Sequence, residues 1–299
     1  MDFRKQKEIT GHASAVYTCV SDGIFIYSGS SDKFVTRWLK EEGIQDKFAI
    51  RFEQSVYALD LINGNVLAVG LADGSLYFFE LESRKELHYF TQHTVGIFSI
   101  KYNSKEQQIY VGDADGNLSI WSDQFKLLVY LPLNCGKIRS IALSPDRSRF
   151  ALACQDGTIR IFETEFFNEI KTFDAHENGA TSVLFDPLNG NRLISGGKDA
   201  LLKDWNIDTG KCINTVVAHT FAIYDIVSIM NGQFLVTASR DKNVKIWNSK
   251  DLEFVKRMDV KEGGHRHSVN ALAKIDERMV VSCSDDKRLI IWELINSYK

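Results

Sequence analysis

The chain has 299 residues, with 36 Lys and Arg residues against 39 Asp and Glu residues, and a formal net charge of −3. Its 44% hydrophobic content can build a sizeable core, and its near-neutral charge argues against a nucleic-acid binder that works by bulk charge. No apolar run approaches the ~20 residues that span a bilayer, and no apolar segment of a signal peptide follows the charged N-terminus. The five cysteines are scattered and form no C-x-x-C pair, so we expect a cytoplasmic protein without a disulfide framework or a zinc site.

Seven segments, each with an aspartate six residues before an aromatic residue, follow one another along the chain. The aspartates are Asp32, Asp73, Asp115, Asp156, Asp199, Asp241 and Asp286. They lie 41 to 45 residues apart, a spacing typical of repeat proteins. The aromatic residue is Phe in repeats 2 and 4, and it is Trp in the other five, which accounts for every Trp in the chain.

Each repeat predicts four short β-strands. Short apolar runs, rich in β-branched and aromatic types, flank the aspartate on both sides, as at 193–195 and 244–247. Asp-Gly pairs between such runs are typical of tight hairpins. The last repeat stops soon after Trp292 and lacks a fourth strand, whereas Phe3 to Ile9 form a spare strand at the other end of the chain.

A histidine precedes the first strand in five repeats, at positions 12, 93, 176, 219 and 265, and a Gly-His pair is kept at His12 and His265. Together with Ser or Thr, Asp and Trp at constant spacing, these residues resemble the WD40-repeat family over the full length. The resemblance implies an all-β fold, a seven-bladed WD40 β-propeller with four antiparallel strands per blade, in one domain over residues 1–299. It also implies that the N-terminal strand, residues 3–9, pairs with the last blade and closes the ring.

Four repeats carry the complete set of His, Ser or Thr, Asp and Trp. These residues are His12, Ser28, Asp32 and Trp38; His176, Ser195, Asp199 and Trp205; His219, Thr237, Asp241 and Trp247; and His265, Ser282, Asp286 and Trp292. The set imitates a hydrolase triad, but its fourfold occurrence indicates a buried structural network, because a catalytic triad occurs once. We therefore expect no catalytic residue, no cofactor and no metal. Repeats 2, 3 and 4 have Val69, Val111 and Leu152 at the Ser/Thr position, which predicts that these blades rely more on apolar packing.

Two charges interrupt the third strands. The residue before the aromatic position is apolar in five repeats but is Arg37 in repeat 1 and Asp204 in repeat 5. A charge at this position needs a partner or a route to water. We favour the interpretation that each side chain reaches the nearby rim.

The WD40 family binds partners mostly on the face that carries the His loops and the Asp turns. The exposed positions of that face give the candidate partner-binding residues Tyr17, Tyr57, Phe98, Lys137, Arg139, Gln155, Lys198, Tyr224, Arg240 and Asp285. Repeats 1 to 3 contribute aromatic residues there and repeats 4 to 6 contribute mainly basic ones, so we expect an aromatic arc beside a basic arc. Aromatic and Arg side chains dominate the binding energy of many protein interfaces.

These features predict a non-catalytic scaffold that binds a peptide or protein segment on this face and is a monomer on its own. The segment would be acidic or C-terminal against the basic arc and apolar or aromatic against the other. One alternative is recognition of a phosphorylated or nucleic-acid ligand by the basic arc of blades 4 to 6. A propeller hydrolase is the least supported alternative, because the sequence shows no metal-binding or carboxylate cluster.

Overall fold

The structure is a computed structural model that describes residues 2–295. Within that range the regular structure is β-strand, apart from one 3-10 turn at Val260–Glu262. The first fourteen strands in chain order are β1 (Asp2–Thr10), β2 (Val16–Ser21), β3 (Phe25–Ser30), β4 (Phe34–Leu39), β5 (Gln45–Arg51), β6 (Val56–Ile62), β7 (Val66–Leu71), β8 (Leu76–Glu80), β9 (Glu86–Phe90), β10 (Ile97–Asn103), β11 (Gln108–Asp113), β12 (Asn117–Ser122), β13 (Leu127–Pro132) and β14 (Ile138–Leu143). The remaining strands are β15 (Arg149–Cys154), β16 (Thr158–Glu163), β17 (Glu169–Asp174), β18 (Ala180–Phe185), β19 (Arg192–Gly197), β20 (Leu201–Asn206), β21 (Lys211–Val217), β22 (Ile223–Ile229), β23 (Phe234–Ser239), β24 (Val244–Asn248), β25 (Phe254–Met258), β26 (Val269–Lys274), β27 (Met279–Ser284) and β28 (Arg288–Ile295).

These strands form seven antiparallel sheets of four strands, which we number as blades 1 to 7. Blades 1 to 6 each use four consecutive strands, from β2–β5 through β22–β25. Blade 7 has the order β1-β28-β27-β26, so the N-terminal strand supplies its fourth strand. The predicted fold class, an all-β seven-bladed propeller whose last blade is completed by the N-terminal strand, is confirmed.

The chain divides into two compact units, and each is described by itself. The terminal unit comprises the described residues 2–56 and 219–295 and contains blades 1, 6 and 7. The central unit comprises residues 57–218 and contains blades 2 to 5. The expectation of one domain over 1–299 stays a prediction.

Apolar side chains fill the space between neighbouring blades within each unit. In the central unit, separate clusters lie between blades 2 and 3, between blades 3 and 4, and between blades 4 and 5. In the terminal unit, such clusters join blade 6 to blade 7 and blade 7 to blade 1. A sheet with apolar residues on both faces cannot bury them alone, so stacking of adjacent blades supplies the core.

Strand β1 is anchored in blade 7 by pairing and by burial. It pairs antiparallel with β28 from Asp2↔Ile295 to Thr10↔Arg288, with one bulge. Phe3 and Ile9 are almost completely buried, at 1% and 0% exposure. The pairing and the burial together join the two ends of the described chain into one sheet.

Candidate partner-binding surface and the buried polar networks

The His, Ser/Thr, Asp and Trp side chains of the complete repeats are joined by hydrogen bonds. In blade 1, His12 Nδ1 lies 2.8 Å from Asp32 Oδ2, and His12 Nε2 lies 2.7 Å from Ser28 Oγ. Trp38 Nε1–H donates to the same Ser28 hydroxyl at 2.7 Å. The equivalent three contacts occur in His176, Asp199, Ser195 and Trp205, in His219, Asp241, Thr237 and Trp247, and in His265, Asp286, Ser282 and Trp292.

The geometry indicates a neutral imidazole. Nδ1–H donates to the carboxylate, the hydroxyl donates to Nε2, and the hydroxyl oxygen accepts from the indole, so every member is satisfied. Burial lowers the pKa of His12, His219 and His265 despite the neighbouring aspartates. Hydrogen bonds from His265 and Arg288 hold the pKa of Asp286 far below its usual range, although burial opposes this. Because the hydroxyls are completely buried, this arrangement links strands and turns rather than presenting a nucleophile to a substrate.

Blade 3 has a network that the sequence reasoning missed. His93 Nδ1 lies 2.7 Å from Asp113 Oδ2, and His93 Nε2 lies 2.7 Å from Ser119 Oγ. Trp121 Nε1–H donates to Ser119 at 2.8 Å. The expectation that blade 3 relies on apolar packing is therefore wrong: the aspartate of its network is two residues before Asp115, and the hydroxyl comes from the third strand. Two features of the sequence could have revealed this network: Ser119, two residues before Trp121, and Asp113, two residues before Asp115.

The charges at positions 37 and 204 are neutralised inside their own blades rather than by water at the rim. Arg37 Nε donates to Asp46 at 2.9 Å, and its guanidinium lies 4.4 Å from the centre of the Phe25 ring. Asp204 accepts from Nε and Nη2 of Arg192 at 3.0 and 2.8 Å. In both cases the partner lies on an adjacent strand, so the identity of residue 37 or 204 alone could not reveal the ion pair.

Six of the sequence-derived partner-binding residues lie in the central unit, and four of them are in contact. The rings of Tyr57 and Phe98 lie with their centres 4.8 Å apart. Lys137 Nζ lies 3.7 Å from the centre of the Phe98 ring, and Arg139 Cζ lies 5.7 Å from it. Cations held over an aromatic face at these distances are attracted by the ring quadrupole. The predicted aromatic and basic arcs therefore touch each other at Phe98.

The remaining two residues extend this surface. Lys198 is exposed. The burial of Lys137, together with the like charges of Arg139 and Lys198, lowers the pKa of Lys137. Gln155 is also exposed, and its Oε1 accepts from the Lys137 backbone N–H at 3.4 Å. We call Tyr57, Phe98, Lys137, Arg139, Gln155 and Lys198 the aromatic–basic patch.

Glycines shape the patch by permitting close approach. A Cβ on Gly96 would lie 3.2 Å from the Tyr57 ring, so this ring rests on bare backbone. A Cβ on Gly179 would lie 3.4 Å from Lys198 Cε, so the Lys198 side chain runs across that glycine. Both glycines stand three residues after the His position of their repeats, and a larger residue there would displace a patch side chain.

The other four candidate residues lie in the terminal unit. Tyr17 and Tyr224 are half-buried on β2 and β22. Arg240 is exposed and lies over the ring of Phe221 at 5.8 Å, while Asp285 accepts from Asn270 Nδ2 at 2.8 Å.

Phe221 is 56% exposed and was not a sequence-derived candidate. It stands two residues after His219, whereas the sequence-derived candidates stand three or five residues after the His position or directly before the Asp of their repeats. Its large apolar side chain in the loop before β22 was the signal in the sequence.

Two further properties bear on the site. Among residues 2–295, no group of three or more His, Cys, Asp or Glu side chains is arranged to hold a metal ion. Over the same described part of the chain, no helix has the length and apolarity needed to cross a membrane.

Comparison with known families agrees with the repeat pattern. The family model described as "WD domain, G-beta repeat" (WD40) matches residues 3–38, 84–122, 126–163, 210–248 and 258–293, more than half of the chain. The chain belongs to the WD40-repeat family.

Several curated WD40-type relatives are similar over part of the chain. "Nuclear distribution protein PAC1" of Arthroderma otae is 24% identical over 172 residues, which cover 54% of this chain and 37% of that protein. "Nuclear distribution protein nudF 1" of Talaromyces marneffei is 32% identical over 130 residues, or 42% of this chain and 28% of that protein. "U3 small nucleolar RNA-associated protein 15 homolog" of Xenopus laevis is 23% identical over 227 residues, or 73% of this chain and 42% of that protein. The matched part is less than half the length of each of these relatives.

Proposed function

We propose that this WD40 protein is a non-catalytic scaffold that binds a peptide or protein segment on the aromatic–basic patch of the central unit. The observation that carries the proposal is the placement of Lys137 and Arg139 against the ring of Phe98. The segment that fits best has an acidic side chain next to an apolar or aromatic one. Family membership supports an interaction scaffold, because propellers of this kind offer rigid surfaces.

The basic half of the patch favours an anionic group. Lys137 and Lys198 take part in none of the ion pairs found among residues 2–295, and the charges that act on Lys137 are the like charges of Arg139 and Lys198. A carboxylate or phosphate placed among them would relieve this repulsion and form charge-assisted hydrogen bonds. Electrostatic complementarity of this kind also selects against basic segments.

The aromatic half favours an apolar neighbour in the same segment. Tyr57 and Phe98 are half-buried, so each ring keeps part of its surface exposed, and their ring centres lie 4.8 Å apart. Aromatic side chains give large contact area at low entropic cost, which makes them frequent anchors. A short segment with both chemistries would therefore engage both halves of the patch.

The relatives' names refer to nuclear distribution and to association with U3 small nucleolar RNA, so they point to different assemblies. We therefore derive the partner's chemistry from the patch and not from these names. A monomeric state and a cytoplasmic location stay predictions, which sedimentation and a fluorescent fusion would test.

The proposal can be tested with defined peptides. Fluorescence anisotropy would measure the Kd of peptides that pair Asp, Glu or phosphoserine with a neighbouring Phe, Trp or Leu, alongside versions with Lys in place of the acid. We expect acidic–apolar peptides to bind the wild type. Lys198→Glu and Phe98→Ala should each weaken that binding at least about tenfold, which corresponds to ~1.4 kcal/mol.

Lys126→Glu is the matched control, because Lys126 is an exposed lysine in the turn before β13 and outside the patch. It makes the same charge change and should leave the Kd unchanged. Equal loss in Lys126→Glu and Lys198→Glu would refute the assignment of the patch. Preference for a single-stranded oligonucleotide over every peptide, with steep salt dependence, would instead support the nucleic-acid alternative.

A further inference from the structure

The terminal unit contains a charged cavity in blade 7, where the His loop and the Asp turn of that blade meet. Its volume is about 330 Å³. The basic residues that line it come from the loop before β26 and from the turn that leads into β28, and they are Arg266, His267, Lys287 and Arg288. The acidic residues that line it are Glu8, Asp285 and Asp286. We call this site the blade 7 cavity.

Blade 7 differs from blades 1 and 6 of the same unit at these positions. All three blades have a lysine directly after the Asp, in a left-handed backbone conformation with φ between 70° and 75°; these are Lys33, Lys242 and Lys287. The two residues after the His are Ala and Ser in blade 1 and Thr and Phe in blade 6, whereas they are Arg266 and His267 in blade 7. The residue after the lysine is Phe or Asn in blades 1 and 6 but Arg288 in blade 7. Basic side chains are therefore concentrated in blade 7.

The carboxylates of the cavity already accept hydrogen bonds from the protein. Arg288 donates to Asp286 through Nε and Nη2, at 3.1 and 2.7 Å. Its Nη1 donates to Glu8 at 2.9 Å. Asp285 accepts from Asn270 Nδ2 at 2.8 Å. Arg288 is thus held in place by two carboxylates, and the acidic lining is supplied with donors from within blade 7.

The other basic side chains of the cavity keep their donors unused. Arg266, His267 and Lys287 are exposed, and within the described part of the chain their side chains form no hydrogen bond or ion pair. A guanidinium offers five N–H donors and an ammonium offers three. Lys5 bonds Glu8 and adds a fourth permanent positive charge against the three carboxylates. The site therefore has spare donors and a positive balance of charge.

We propose that the blade 7 cavity binds one phosphoryl group, presented by a phosphorylated serine or threonine of a partner segment. Such a group carries a charge close to −2 and three strong acceptor oxygens. The guanidinium of Arg266 has the fork that matches two phosphate oxygens, and Lys287 and His267 supply further donors. A carboxylate brings two oxygens and a single charge, so it would leave more of these donors unpaired.

The carboxylates in the lining favour a single phosphoryl group over a polyanion. Glu8 and Asp285 place negative charge on the wall of the same cavity. A nucleic-acid strand would bring several phosphates towards them, and like charges repel. A phosphorylated peptide brings one such group, and its backbone N–H groups can donate to Asp285. The site belongs to the terminal unit, so this inference does not depend on the aromatic–basic patch.

Asp285 provides a test in which the expected change has the opposite sign. Asp285→Asn removes a negative charge but keeps an oxygen that can accept from Asn270. This variant should therefore bind a phosphoryl group more tightly. If the cavity instead selected a cation, the same change would weaken binding.

The test uses a fluorescein-labelled peptide, Gly-Ala-phosphoserine-Ala-Gly, with blocked ends. It has no large apolar side chain for the aromatic–basic patch. Fluorescence anisotropy would measure its Kd for the full chain, both as wild type and with Phe98→Ala and Lys198→Glu combined. We expect similar binding by these two proteins, and binding at least about tenfold weaker when Ser or Glu replaces phosphoserine.

Arg266→Ala and Lys287→Glu should each weaken binding of the phosphoserine peptide at least about tenfold. Lys242→Glu is the matched control, because Lys242 is exposed, occupies the equivalent position of blade 6 with φ of 75°, and does not line the cavity. It should leave the Kd unchanged. Circular dichroism would confirm that each variant is folded.

Several outcomes would overturn the proposal. They are equal binding of the Ser and phosphoserine peptides, equal loss in Lys242→Glu and Lys287→Glu, and loss of binding in the combined Phe98→Ala/Lys198→Glu variant. Competition by inorganic phosphate at the Kd of the peptide would assign the cavity to free phosphate, and preference for a single-stranded oligonucleotide would assign it to nucleic acid; either result would also overturn it. Failure of acidic–apolar peptides to bind would refute the proposed function and leave a positive phosphoserine result intact.

Discussion

The polar networks predict that two equivalent serines differ in their effect on stability. In blade 7, Ser282 accepts from Trp292 and donates to His265, and the residue eight positions later is the apolar Ile290. In blade 1, Ser28 makes the same bonds, but the residue eight positions later is Thr36, whose Oγ1 lies 3.0 Å from His12 Nε2. Blade 1 thus contains a second hydroxyl that can replace the first.

The difference can be worked out from the groups left unpaired. Ser282→Ala leaves both the Trp292 indole N–H and His265 Nε2 without partners in a fully buried site, which should cost about 2–4 kcal/mol. Ser28→Ala leaves the Trp38 N–H unpaired, but Thr36 can still donate to His12, so the cost should be lower by about 1 kcal/mol. Both serines belong to the terminal unit, so the comparison concerns one unit.

Guanidinium denaturation followed by Trp fluorescence would measure both variants against the wild type, with hydrogen exchange to confirm that the same unit opens. The double variant Ser28→Ala/Thr36→Val removes the reserve hydroxyl and should approach the loss seen in Ser282→Ala. If Ser28→Ala destabilises the protein as much as Ser282→Ala, or more, the reserve role of Thr36 is refuted.

Three further predictions concern the same framework. Deletion of residues 2–9 removes the buried Phe3 and Ile9 and the strand that pairs with β28, so the denaturation midpoint should fall sharply. An unchanged midpoint would contradict the role of β1. The free energy of unfolding should fall as the pH drops below about 6.5, because folding lowers the pKa of His12, His219 and His265 and the unfolded state then binds more protons. Urea midpoints measured at several pH values would show this loss. A midpoint that rises on acidification would contradict the prediction. Asp204→Ala should lower the free energy of unfolding by about 2–3 kcal/mol, because Arg192 loses charged hydrogen bonds in a mostly buried site. A melting temperature equal to that of the wild type would show that water replaces Asp204.

Much of the fold was accessible from the sequence because each repeat carries its own local signals. The constant distance from Asp to the aromatic residue marks the turn between the second and third strands, and this mark located all seven blades. The missing fourth strand after Trp292 and the spare strand at 3–9 predicted their pairing once the resemblance to the WD40 family implied a closed ring. These signals are local in sequence or follow from counting, so they need no knowledge of tertiary contacts.

The site was less accessible because its residues meet across blades. The positions of Phe98, Lys137 and Arg139 were predicted, but their stacking depends on how adjacent blades pack. The constant spacing also pointed to Asp115 and not to Asp113, because hydrogen-bond geometry, not spacing, determines which carboxylate His93 contacts. A repeat position alone does not show that a nearby residue takes over the role of the expected one.

The pairing of β1 with β28 has a consequence for how the protein folds. Arg288 bonds Glu8 across 280 residues of chain, so blade 7 combines the earliest described strand with the last. During synthesis β1 emerges before the other described strands and then waits with an unpaired edge until β28 has been made. Contacts of such long range raise the contact order and slow folding, so completion of blade 7 should be a late event. Blades 1 to 6 can each form from consecutive strands as they are translated, whereas the seventh depends on the meeting of two distant segments.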